Sequence, residues 1–175
     1  MGGLREEAMK NRSNEILGDP SLRDPDGPAT AAGSEFLTEE TVHRWSLTHM
    51  LERAEALRRI ARYGHGSATE SVTKYPGHST MLTFRGHDGV AELHDEFADL
   101  YFVLDGRAIL VTGGELVGGL PIDEGEYRGL TIENGTQQEL RTGDVVHVPA
   151  GVPHQILVGG NRTITCFVVR IKESE

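Results

Sequence analysis

The chain is poor in cysteine, in basic residues and in long apolar runs, and each shortage excludes something. Of its 175 residues one is cysteine, Cys166, so no disulfide can form within the chain. That favours a reducing compartment. The neighbours Ile164, Phe167, Val168 and Val169 mark Cys166 as a small buried hydrophobe rather than a nucleophile. Seventeen Lys and Arg stand against 27 Asp and Glu, a formal charge of −10. This argues against nucleic acid or an anionic membrane surface as the main partner. No run of about 18 apolar residues is present, so no membrane span is expected. The opening MGGLREEAMKNRSNE has no apolar stretch of the secretory type, and a cytoplasmic protein is expected.

What is present reads as an all-β domain with one helix. The length fits one domain plus an appendage. The 22 glycines, well spread, suit many tight turns. Residues 1–40 carry the linker signals Asp19-Pro20, Asp24-Pro25 and Gly27-Pro28 and read as a flexible tail. Gly33-Ser34-Glu35-Phe36 also reads as a translated cloning junction, so part of this tail is assigned to a vector. The domain is then 41–175. Within it, 46–63 repeats apolar residues at three- and four-residue steps, with Ser46 to cap the start and Gly64 to end it. From Ser67 onward short strand patterns follow one another, separated by turn residues. No helical pattern recurs between them, which excludes parallel crossovers. Gly113 to Gly135 is glycine-rich and reads as a hairpin or lid.

Two stretches place polar, metal-capable side chains at fixed intervals: Gly86–Gly106, GHDGVAELHDEFADLYFVLDG, and Gly143–His154, GDVVHVPAGVPH. Glu92 and His94 are two apart and share a face if extended. Asp99 opens the next strand pattern, and His154 follows the turn Ala150-Gly151-Val152-Pro153. If the strands face one interior, Glu92, His94, Asp99 and His154 converge. Two imidazoles with carboxylates suit Fe(II), Mn(II), Zn(II) or Ni(II) and disfavour Cu(I).

This pair of stretches resembles the two motifs of the cupin superfamily. The second matches closely, with Gly143, Pro149, Gly151 and His154 at the family spacing. The first keeps the spacing with altered chemistry: Glu92-x-His94 stands where the family has His-x-His, and Asp99 where it has Glu. The resemblance covers roughly 45–172 and is nearest to small single-domain bacterial cupins. It implies a cupin-type double-stranded β-helix (jelly-roll) barrel with one N-terminal amphipathic helix. It also implies one divalent ion held by His94, His154, Asp99 and Glu92.

The expected ligand is a small polar organic molecule, an organic acid or sugar-like compound. Tyr101, on the same face as Asp99, and His147, whose facing the pattern does not fix, are its candidate contacts. If the protein is an enzyme, the superfamily suggests a dioxygenase- or isomerase-like reaction. The alternative is a non-catalytic binding or sensing barrel in which the same residues form a metal-free polar cluster. Leu100, Phe102 and Leu104 alternate with Asp99, Tyr101 and Val103, so three large apolar side chains face outward and need cover. The helix or a second copy in a homodimer would supply it.

Overall fold

The structure is a computed structural model and describes residues 42–173; the expected tail over 1–40 lies outside the described residues. A helix, α1 (Leu47–Tyr63), precedes twelve strands: β1 (Ser67–Tyr75), β2 (His78–Arg85), β3 (Ala91–His94), β4 (Phe97–Thr112), β5 (Glu115–Val117), β6 (Leu120–Asp123), β7 (Glu126–Gly129), β8 (Thr131–Glu133), β9 (Thr136–Arg141), β10 (Val145–Val148), β11 (His154–Leu157) and β12 (Ile164–Lys172). Every pairing is antiparallel. The hydrogen-bonded order β1-β2-β12-β4-β11-β3-β7-β6, with β9 and β10 also on β4, curls into a barrel.

β4 is the spine. Its first part, Phe97–Gly106, pairs with β12, and residues 99–102 also carry β10 on the other edge. Its second part, Arg107–Thr112, pairs with β9, and residues 109–112 carry β11. One strand therefore belongs to both halves of the barrel. The sequence pattern suggests that Gly106 ends a strand. Instead the strand turns a corner there. Gly106 has φ +89°, and a Cβ would lie 2.1 Å from the Thr163 carbonyl oxygen, so only glycine fits. The register with β12 shifts beside it, between Thr165 and Cys166, as a bulge bends the strand.

Alternation along β4 puts Asp99, Tyr101 and Val103 inside. Tyr101 and Val103 join Leu110, Leu140, Val148, Ile156, Ile164 and Cys166 in the barrel core. Burial pushes the Cys166 thiol up to about 12, which makes it inert as a nucleophile. A second core lies outside the barrel, where Met50, Ala54, Leu57 and Ala61 of α1 pack on Ala68, Leu82 and Phe84. Burying Met50 and Leu57 contributes about 1.5–3 kcal/mol each. The Ser46 side chain accepts from the His49 backbone N–H at 3.2 Å and starts the helix. Arg53 then clamps Glu70 of β1 with two hydrogen bonds. Leu104 and Phe167 pack against this second core yet stay half-buried, as does Phe102, and the three line an apolar groove with Trp45, Leu47 and Val169.

Residues 113–135 form no loose lid. β5 pairs with β8, while β6 and β7 make a hairpin whose second strand adds to β3. β9 escapes the sequence pattern because Thr136–Arg141 is polar and exposed apart from Leu140.

Candidate metal and ligand site

The four motif residues meet inside the barrel. Glu92 and His94 project from the inner face of β3, Asp99 from β4, and His154 from the first residue of β11, in register with Glu92. All four are buried. The turn before His154 is fastened to the site: Gly151, at φ +73°, donates its N–H to the His94 carbonyl at 2.7 Å. One ligand atom from each residue lies within 4.8 Å of the other three. His94 Nε2 is 3.4 Å from Glu92 Oε2 and 3.5 Å from Asp99 Oδ2. His154 Nε2 is 3.9 Å and 3.7 Å from the same two oxygens. Four ligands at about 2.1 Å from a tetrahedral ion stand about 3.4 Å apart. The cage is therefore close to the size of a coordination shell.

The imidazoles are oriented by their outer nitrogens. His154 Nδ1 lies 3.1 Å from the Val152 carbonyl, which can only accept, so Nδ1 carries the proton. Nε2 is left as a lone pair directed inward, buried and without a hydrogen-bond partner among the described residues. His94 Nδ1 donates to Glu126 Oε2 at 2.5 Å, and Nε2 again points inward. A histidine whose outer N–H is held by a carbonyl or carboxylate is the usual form of a metal ligand.

Three arginines surround the acids. Arg170 of β12 forks onto Asp99, Nε to Oδ1 at 2.8 Å and Nη2 to Oδ2 at 2.9 Å. The same Nη2 lies 2.8 Å from His94 Nε2. Arg85 and Arg128 stand 3.6 Å and 3.8 Å from the Glu92 carboxylate. The Tyr101 hydroxyl donates to Asp99 at 3.3 Å. Burial opposes ionisation of Glu92, but the Arg128 and Arg85 charges outweigh it and hold that carboxyl well below the usual range. Burial likewise opposes a charge on Asp99, and the Arg170 fork overcomes it and holds that carboxyl well below the usual range. A proton on His94 Nε2 would face the Arg170 guanidinium N–H donor to donor at 2.8 Å. The contact geometry decides, and Nε2 is the acceptor.

Beside the cage lies a cavity of about 70 Å³, lined among others by Arg85, Arg128, Arg170, Tyr101, Thr69 and Thr83. Tyr101 thus lines this cavity. His147 does not join the site. It lies on β10 opposite Leu100, with an exposed side chain 3.7 Å from Glu173. Glu126, Arg128 and Arg170 are site residues that the motif spacing misses. For Arg170 a signal exists: Ile164, Cys166 and Val168 set an inward period of two that Arg170 continues.

The antiparallel barrel and its strand order define a double-stranded β-helix, the cupin fold. A solved structure agrees. A protein of Klebsiella pneumoniae with a double-stranded β-helix domain is 15% identical, with a TM-score of 0.51, over 75% of this chain and 91% of its own. TT1209 of Thermus thermophilus is 20% identical over 67% of this chain and 95% of its own, with a TM-score of 0.47. The cupin domain of Schizosaccharomyces pombe Cnp3 is 12% identical over 61% of this chain and 65% of its own, with a TM-score of 0.46. No protein-family model matches the sequence, and comparison with curated proteins finds no related sequence.

Proposed function

We propose that the barrel holds one divalent ion, Fe, Mn, Zn or Ni, through Glu92, His94, Asp99 and His154, and binds a small organic acid beside it. The observation that carries this reading is His154 Nε2. It is a buried lone pair, aimed at two carboxylates, with its tautomer fixed by Val152. Leaving such an atom unpartnered costs about 1–3 kcal/mol, and an ion removes that cost. A bound ion supplies Lewis-acid or oxygen-activating chemistry. The chain's own residues fix the donors, exclude water and place arginines and the Tyr101 hydroxyl at the cavity. Those arginines favour an organic acid over a sugar-like compound.

The second reading, a metal-free binding barrel, is favoured by charge. With the histidines neutral, the carboxylates of Glu92, Asp99 and Glu126 are balanced by Arg85, Arg128 and Arg170 without any ion. Metal analysis separates the two. After reconstitution with each ion in turn, wild type should hold one ion per chain and His154→Ala should hold far less. Substoichiometric metal in wild type with every ion would leave only the metal-free barrel.

We also propose that the chain pairs with a second copy through the groove at Phe102 and Phe167, and that it works in the cytoplasm. The groove supports the first. The lone, buried Cys166 supports the second. Among the described residues no helix is long and apolar enough to cross a membrane.

A further inference from the structure

Arg170 sits where its charge matters most. Its Nη2 is 2.8 Å from His94 Nε2, 2.9 Å from Asp99 Oδ2 and 4.0 Å from Glu92 Oε2. Three of the four donors in the cage thus face one guanidinium nitrogen. His94 Nε2 has a single lone pair, and with Nδ1–H committed to Glu126 it has no second acceptor to offer. That lone pair can accept from Arg170 or bind an ion, and cannot do both. An ion about 2.1 Å from Nε2 would also lie against a like charge.

We propose that Arg170 and the divalent ion are alternative partners of His94, and that the ion turns Arg170 from an internal counter-ion into the anchor for a ligand carboxylate. The inference rests on the metal reading above. In the metal-free barrel Arg170 closes the cage and neutralises Asp99. Once the ion takes His94, Arg170 keeps its place on the cavity wall with Arg85 and Arg128. The arginines already balance the three carboxylates, so a divalent ion leaves two positive charges unmatched. A dianionic acid restores neutrality, and the cavity therefore selects a dicarboxylate over a neutral polyol. The ion and the acid then promote each other's binding by the same factor.

The experiment uses Zn(II), a fluorescent chelator as competitor, and malonate as the dicarboxylate probe. Arg170→Met should bind Zn(II) at least ten-fold more tightly than wild type, with Arg170→Lys between them. Arg170→Lys keeps a cation and covers the case in which the methionine variant fails to fold. The Arg170 Nε resonance of wild type should shift on adding one equivalent of Zn(II), while Lys172 Nζ stays in place. Malonate should bind Zn(II)-loaded wild type at least ten-fold more tightly than the metal-free protein, and lose that gain in Arg170→Met. Equal or weaker Zn(II) affinity in both variants, or an unmoved Arg170 resonance in loaded wild type, overturns the exchange alone. Malonate binding that ignores the ion or Arg170 overturns the anchor role. If neither wild type nor variants bind Zn(II) or any of the other ions, the metal reading falls and this inference falls with it.

Discussion

Glu126 and His94 are register partners across β3 and β7, and the carboxylate of one takes the Nδ1 proton of the other at 2.5 Å. A backbone pairing thus sets a side-chain tautomer. The hairpin that carries Glu126 is therefore part of the site, although it is built from the glycine-rich segment 113–135. Glu126→Ala should weaken metal binding about 10–100-fold while leaving all four candidate ligands in place. Chelator competition measures it. Unchanged affinity would mean that the hydrogen bond does not orient His94.

Glu92 gives the cage a second carboxylate where the resembled family has a histidine. With Asp99 also ionised, two carboxylate oxygens among the donors favour harder ions such as Mn(II) or Fe(II). Glu92→His should move the preference toward Ni(II). Competition titrations on wild type and variant read the order. The same order in both would place Glu92 outside the coordination shell, facing Arg85 and Arg128 only.

Light scattering should report a particle of twice 19.1 kDa for wild type at micromolar concentration. Phe102→Asp should return it to the monomer mass, because pairing through the groove would bury an unmatched carboxylate. A wild-type monomer at that concentration rules out the pairing.

Gly106→Ala tests the corner of β4. The new methyl meets the Thr163 carbonyl, and φ +89° is a strained conformation for alanine. The loss should be at least about 2 kcal/mol in urea unfolding. A loss below half a kcal/mol would show that the corner rearranges without strain.

Much of this was legible in the sequence, for local reasons. Ser46, the apolar steps of α1 and Gly64 mark a helix within a few turns of chain. Glu92-x-His94 and the turn before His154 carry their geometry with them, because a strand alternates and a glycine turn reverses. Their convergence on one cage follows once the strands enclose one interior. What stayed hidden depends on distant pairing. Nothing near Glu126 or Arg128 says that β7 will lie beside β3. Nothing near Gly106 says that its strand continues into the other half of the barrel. β9 has one buried residue, Leu140, too few to show an alternation. The open facing of His147 was settled by its pairing with Leu100 and by Glu173, a residue from the far end of the described chain.

The place of β12 in the sheet has a consequence for biosynthesis. It is the last strand among the described residues, yet it lies between β2 and β4 and brings Arg170 to Asp99. A nascent chain lacking Ile164–Lys172 exposes the open edges of both neighbours and an unmatched acid. Closure of the barrel therefore waits on this segment, and a chain that lacks it presents unpaired strand edges of the kind that aggregate.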